Sequence, residues 1–208
     1  DLMLSGSFAY LAVGDSGLRI LSLTDPENPS EIGIYDTPGT AYGIAVAGDN
    51  AFVADGSSGL RVVDVSDPVN PGEVAFFDTP GYASDVAVVD KHAYIADAGG
   101  LRIVDVSNPA EPAEVGYCEL SGYAQRVLVA GNYAYVAAGF PGIVVIDVSN
   151  PSTPWEACSY DTAGYMQGLA LAGDYLYVAD FNGGLAILPS TCPPLEHVVY
   201  LPVVLRNY

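Results

Sequence analysis

A four-residue motif that recurs five times constrains this chain more than any other feature. Each copy combines an aromatic residue with an aliphatic residue and a final alanine, and the copies begin at Ala9, Ala51, Ala93, Ala134 and Leu176. Successive copies are 41 or 42 residues apart. A period near forty residues, filled with short apolar runs and turn residues, is typical of a β-propeller in which each repeat forms one four-stranded blade.

The second repeat shows the sequence pattern of one blade. Runs rich in Val, Ile, Tyr and Phe lie at 42–48, 51–54, 60–65 and 73–77, and clusters of Gly, Asp, Asn and Pro separate them. The first group of residues favours strands and the second favours turns. Several runs are apolar at nearly every position, which indicates sheets that are covered on both faces. We therefore predict an all-β propeller without a helix of useful length.

The repeats predict five blades and a tail. The expected blades cover about 1–38, 39–80, 81–121, 122–163 and 164–192, and the tail covers 193–208. The fifth repeat supplies only three strands, because its third strand stops at Pro189. The tail can supply the missing strand, since 198–201 falls in phase with the fourth strand of blade two.

Three arrangements of the tail agree with this phase. The tail folds back and closes blade five of its own chain, it adds a strand to a neighbouring molecule, or the chain is a fragment of a larger propeller. Strand addition between chains produces a filament when the contact does not close on itself. The tail residues that would carry such an assembly are Val198, Val199, Tyr200, Leu201, Val203 and Val204.

The charge balance excludes several classes of partner. Six Lys and Arg residues stand against 25 Asp and Glu residues, for a formal net charge of −19. Such a surface repels phosphate backbones, so we expect no nucleic-acid binding. The apolar runs are much shorter than the ~20 residues of a membrane-spanning helix, so we expect no membrane insertion. The start at Asp1 fits either a removed signal peptide or a cut fragment.

Three segments of the chain resemble the LVIVD repeat: GLRVVDVSDP at 59–68, GLRIVDVSNP at 100–109 and GIVVIDVSNP at 142–151. The resemblance extends to 78–83 and 93–97 and covers nearly the whole chain except the tail. The family is similar to secreted and cell-surface β-propellers of bacteria and archaea. The resemblance implies an extracellular repeat module, and it carries no catalytic residues to transfer.

The cysteines leave two alternatives open. Cys118, Cys158 and Cys192 allow at most one internal disulfide, and no pair has the spacing of a metal site. Cys158 and Cys192 are the candidate pair, because both would lie near the contact of the last blade. The alternative is three small buried thiols.

Charged residues recur with the repeat. Arginines lie near the start of the third strand at Arg19, Arg61 and Arg102. Aspartates lie near its end at Asp64, Asp105 and Asp147. We expect Arg–Asp pairs between these two sets. A further set ends the second strand at Asp55, Asp97 and Asp180, where we expect side chains that bond to the backbone of a turn.

Residues that depart from the repeat are better candidates for a ligand site. Near the start of each inner strand, at the mouth of the central channel, the candidates are Tyr42, Asp85, Gln125, Arg126 and Gln167. Asp85 and Arg126 would lie in adjacent blades. They form either a salt bridge that plugs the channel or part of a site for a small polar ligand, in which Arg126 orients a carboxylate.

The remaining chemistry is sparse. Acidic residues recur before each crossover to the next blade, and calcium is the only cofactor that such a face favours, although no Asp-x-Asp-x-Asp loop exists. Two isolated histidines cannot build a three-histidine metal site, and no GxSxG motif is present. We expect a non-enzymatic extracellular propeller with a structural or interaction role, self-assembling through its tail. The alternative is a propeller, or a weakly supported enzyme, that binds a small ligand or cation at the channel mouth.

Overall fold

The computed structural model describes residues 1–139, 142–162, 166–180 and 184–192, and these residues form five antiparallel sheets. Blade one contains β1 (Leu2–Ser5), β2 (Phe8–Ala12), β3 (Leu18–Ser22) and β4 (Ser30–Tyr35). Blade two contains β5 (Gly43–Ala47), β6 (Asn50–Ala54), β7 (Leu60–Asp64) and β8 (Gly72–Phe77). Blade three contains β9 (Ala83–Val89), β10 (His92–Asp97), β11 (Gly100–Asp105) and β12 (Ala113–Glu119).

Blades four and five follow in the same chain order. Blade four contains β13 (Arg126–Ala130), β14 (Tyr133–Ala137), β15 (Ile143–Asp147) and β16 (Trp155–Tyr160). Blade five contains β17 (Met166–Ala172), β18 (Tyr175–Asp180) and β19 (Gly184–Pro189). Within every sheet the strands pair in chain order, so the predicted all-β propeller of five blades is confirmed. The described part of the chain contains no helix that is long and apolar enough to cross a membrane.

The structure does not describe the predicted C-terminal tail. The assembly residues Val198, Val199, Tyr200, Leu201, Val203 and Val204 lie outside the described residues. Blade five therefore has three described strands, and no described strand pairs with the outer edge of β19.

A tight turn fixes the start of the third strand in the repeat. Gly59 has a φ of +71°, in the left-handed region that glycine adopts without strain. A Cβ atom at Gly59 would also collide with the carbonyl oxygen of Phe77 on the outer strand. The turn brings β6 and β7 into register, with Ala54 opposite Leu60.

Apolar side chains fill the space between consecutive blades. At the junction of blades one and two, Tyr10, Leu18 and Ile20 pack against Val53 and Val63. Equivalent clusters join blades two and three, three and four, and four and five. Because the middle blades are packed on both faces, their strands are apolar at nearly every position, which explains the continuous apolar runs of the sequence.

The inner strands of the five blades line a central channel. Residues of β1, β5, β9, β13 and β17 line a cavity of about 460 Å³. The variable polar positions of the repeat lie at one end of this channel, because they come at the start of the inner strands.

Candidate functional site

Polar side chains from different blades meet at the mouth of the central channel. Tyr42, Ser84, Gln125, Arg126 and Met166 line a pocket of about 240 Å³. Three of the residues predicted from the sequence, Tyr42, Gln125 and Arg126, are thereby brought together. Asp85 lines the adjoining channel, and the side chain of Gln167 lies outside the described residues.

Asp85 joins the inner strands of blades three and four. Its carboxylate accepts a hydrogen bond from the backbone N–H of Val86 at 2.9 Å and another from the N–H of Val127 at 2.9 Å. Burial raises the pKa of Asp85, while the Val127 hydrogen bond and the Arg126 charge act in the opposite direction. The closest atoms of Arg126 and Asp85 are 3.9 Å apart, so the salt bridge is a long one.

Arg126 lines the pocket, and the carboxylate of its acidic neighbour Asp85 is already engaged by backbone groups. Both Asp85 oxygens accept backbone hydrogen bonds, and 37% of the Arg126 side chain is exposed. A guanidinium group presents several N–H donors in one plane, which matches the two oxygens of a carboxylate. The arrangement can therefore bind a small anion, with the Gln125 amide and the Ser84 hydroxyl as further polar groups.

A pair of tyrosines stands at the rim of the pocket. The Tyr82 hydroxyl donates a hydrogen bond of 2.7 Å to the Tyr42 hydroxyl, and the ring centres are 5.4 Å apart. This hydrogen bond raises the pKa of Tyr82 to about 12. Tyr42 is 42% exposed and lines the pocket, so it can offer an aromatic surface to a ligand at the mouth.

Two residues near the channel were missed from the sequence. Asp1 accepts a hydrogen bond from the N–H of Ile44 at 3.1 Å, and so joins blades one and two as Asp85 joins blades three and four. Asp1 could have been found from its spacing, because it lies 84 residues, or two repeats, before Asp85. Met166 is buried at the pocket wall, and nothing in the repeat marked it.

The recurring arginines pair with other aspartates than expected. Arg102 Nε donates to Asp97 at 2.6 Å, its Nη1 donates to Glu114 at 2.7 Å, and its guanidinium lies over the Tyr117 ring at 4.3 Å. Arg61 likewise lies 3.8 Å from Asp55. The predicted pairing with the third-strand aspartates is wrong. Asp55 and Asp97, for which we expected hydrogen bonds to the backbone of a turn, are the aspartates that face these arginines.

The register of the sheet explains the correction. Arg102 and Asp105 are three residues apart on β11, so their side chains point to opposite faces. Arg102 lies opposite Ile95 on β10, and Asp97 is two residues further along that strand, on the same face as Arg102. Asp105 instead accepts the backbone N–H of Ser107 at 2.8 Å.

A threonine–aspartate contact holds the crossover between blades. Thr37 donates to Asp55 at 2.6 Å, and the N–H of Gly39 donates to the same carboxylate at 2.7 Å. At the junction of blades three and four the equivalent residues are Leu120 and Ala138, which are buried in one apolar cluster. The contact is therefore structural. Its two residues are both polar at the junction of blades one and two, and both apolar at the junction of blades three and four.

Cys158 and Cys192 are joined by a disulfide, with Cα atoms 5.8 Å apart. Cys118 is a buried free thiol. The Tyr135 hydroxyl donates to the carbonyl of Ser190 at 2.6 Å, which holds the end of blade five against blade four. In the described ranges, no three His, Cys, Asp or Glu side chains group closely enough to hold a metal ion.

The repeat now identifies the family. The LVIVD repeat model matches residues 1–37, 38–79, 80–119, 121–162 and 163–188. The chain belongs to the LVIVD-repeat family. Each LVIVD repeat corresponds to one blade, and the last match ends before the tail. No curated protein matches the sequence.

Solved structures share the fold of this LVIVD propeller at low identity. The computationally designed protein Ika8 superposes with a TM-score of 0.73 at 9% identity, over 91% of this chain and 57% of its own. A functionally unknown protein from Desulfotomaculum acetoxidans gives 0.75 at 15% identity, over 91% and 64%. The periplasmic gluconolactonase PpgL of Pseudomonas aeruginosa gives 0.72 at 14% identity, over 88% and 64%. The chain thus spans less than two thirds of each of these proteins.

Proposed function

We propose that this LVIVD propeller is a non-enzymatic structural or interaction protein of the cell surface or extracellular space. Its copies join through the C-terminal tail, which adds a strand to blade five of a neighbouring molecule.

The outer edge of β19, which pairs with no strand among the described residues, carries the proposal. In blades one to four a fourth strand covers the outer edge of the third strand, whereas β19 has no partner among the described residues. An open strand edge presents a row of N–H and C=O groups that another strand can pair with. The tail segment 198–201 has the composition of a strand and falls in phase with β8.

The extracellular placement rests on the Cys158–Cys192 disulfide. Disulfides persist in oxidising compartments and are rare in the cytosol. The net charge of −19 is compatible with a protein that must stay soluble without binding nucleic acid.

The side chains of the channel mouth support a role without catalysis. Ser84 donates to the carbonyl of Tyr82 at 3.4 Å, and both oxygens of Asp85 accept backbone N–H groups. Covalent catalysis needs a nucleophile that is hydrogen-bonded to a base. Ser84 and Asp85 instead bond to backbone groups.

Truncation tests the assembly. The full chain and a chain that ends at Leu195 are compared by light scattering after gel filtration and by negative-stain electron microscopy. We expect filaments or large oligomers for the full chain only. Val199→Pro in the full chain is the matched control, because it keeps the apolar tail but removes a backbone donor.

Two outcomes would contradict the proposal. A monodisperse full chain of 21.6 kDa excludes self-assembly. A truncated chain that unfolds, next to a monomeric full chain, shows that the tail completes blade five of its own molecule.

The exposed Arg126 guanidinium favours a second candidate function, the binding of a small carboxylate at the channel mouth. Titration calorimetry with a panel of mono- and dicarboxylates tests it. We expect binding that Arg126→Ala abolishes and Lys91→Ala leaves intact, because Lys91 is exposed in the turn after β9, at the opposite end of the channel. Equal binding by both variants would exclude the site.

A further inference from the structure

We infer that the free face of blade one docks blade five of a second copy of this chain. The apolar residues of this face are five leucines, Leu2, Leu4, Leu11, Leu21 and Leu23. This contact joins the face of one sheet to the face of another. It acts together with the tail strand proposed above, so stable association needs both contacts and this inference rests in part on the proposed function.

Comparison with blade two shows what the equivalent residues of this face contact. The equivalent residues of blade two, 42 positions later, are Ile44, Val46, Val53, Val63 and Val65. In blade two these residues pack against blade one, and Ile44 is only 4% exposed. Blade one keeps apolar residues at all five positions, as a face that receives a preceding blade would.

In the described structure the free face of blade one has no such cover. Leu2 is 54% exposed and Leu4 is 60% exposed, and every residue of β1 is exposed. Each of the apolar clusters among the described residues joins consecutive blades, and none joins blade five to blade one. Contiguous apolar surface of this kind marks a protein–protein contact.

Blade five carries the complementary face. Its residues Tyr177, Ala179, Leu185 and Ile187 are in phase with Tyr10, Ala12, Leu18 and Ile20 of blade one. The blade-one residues are buried against blade two, whereas Ala179 is exposed and the other three in blade five are only half-buried. The free faces of blades one and five thus carry the same two sets of residues that pack together where consecutive blades of this chain meet.

A second copy is the occupant that these observations favour. The two free faces belong to the same chain, and no apolar cluster among the described residues covers either of them, so each can be covered by the other face of a neighbouring molecule. A head-to-tail contact of this kind either closes into a ring or continues as a filament.

Charge placed on each face tests the docking. Leu4→Glu and Ala179→Glu replace side chains that are exposed in the single molecule, so both variants should fold. We measure molar mass by light scattering for the full chain, for each variant and for the chain that ends at Leu195. Val69→Glu is the control, because Val69 is equally exposed but lies in the loop after β7.

The expected result has two parts. Each face variant alone is a monomer of 21.6 kDa, whereas the parent chain and Val69→Glu associate. An equimolar mixture of Leu4→Glu and Ala179→Glu forms a dimer and nothing larger, because each partner retains one intact face.

Other outcomes overturn the inference or separate it from the proposed function. If the parent chain is a monomer, no second copy docks. If truncation at Leu195 abolishes association but Leu4→Glu does not, the tail strand alone joins the copies, so the proposed function stands and this inference fails. If Leu4→Glu abolishes association and truncation does not, the inference stands without the tail.

Discussion

Buried ion pairs in single blades set the local stability of the propeller. Asp97→Asn removes the carboxylate that faces Arg102, whose side chain is only 12% exposed. We expect the free energy of unfolding to fall by roughly 2 kcal/mol, less than the full cost of an isolated buried charge because Glu114 remains. Urea unfolding measures the change. Asp105→Asn is the matched control, and an equal loss in both variants would contradict the assignment.

Asp85 makes stability depend on pH in a defined direction. Burial raises its pKa in the folded chain, so the folded chain binds this proton more readily than the unfolded chain does. The contribution of Asp85 to stability therefore grows as pH falls from neutral towards about 4 and is lost as pH rises.

The test of the Asp85 effect compares the parent chain with Asp85→Asn across this pH range. We expect the difference in unfolding free energy to shift in favour of the parent chain as the pH is lowered. The Asn variant shares the background of 24 other acidic residues, so the difference isolates Asp85. A difference that does not change with pH would exclude the effect.

At the scale of strands and loops, the repeat predicts most of the structure. The predicted runs 51–54 and 60–65 agree with β6 and β7 to within one residue, because turn residues mark every strand end. The partners of Arg102 were mispredicted, since recurrence along the chain does not show which face of the sheet a side chain occupies. The pocket at the mouth was only partly foreseen, because residues about forty positions apart converge there through blade packing.

The disulfide occupies a recurring contact between elements. Gly33, Gly116 and Cys158 hold equivalent positions on β4, β12 and β16. A Cβ atom at Gly33 would meet the carbonyl of Pro68, and one at Gly116 would meet that of Pro151. The loops before β8 and β16 thus cross the outer strand of the preceding blade at this position, and at Cys158 the contact with the segment after β19 is covalent.

Reduction should therefore loosen the end of the propeller. The disulfide closes a segment with a sequence separation of 34 residues, and we expect reduction to lower the unfolding free energy by about 3 kcal/mol. Urea unfolding with and without a thiol reductant measures this loss. The double variant Cys158→Ala, Cys192→Ala should have the same unfolding free energy as the reduced parent, and the reductant should not change it. Equal stability of the variant and the oxidised parent would exclude the contribution of the disulfide.

At the scale of the whole molecule, apolar end faces and a strong net charge act against each other. Two copies that each carry a formal charge of −19 repel one another, while the leucines of blade one favour contact. At low salt this repulsion extends over tens of ångströms, and at ~0.1 M ionic strength it is screened within about 10 Å. We expect head-to-tail association to be weak at low ionic strength and to strengthen as salt is added.

Analytical ultracentrifugation over a salt series measures this dependence, with Leu4→Glu as the control. The variant adds one negative charge to a molecule that already carries 25 acidic residues, so its overall repulsion is almost the same as that of the parent chain. Only the free face of blade one is altered. If salt drives the parent chain into oligomers while Leu4→Glu stays monomeric, the association uses that face. If both associate equally, salt acts on the acidic surface as a whole, and the end faces of the propeller do not direct the contact.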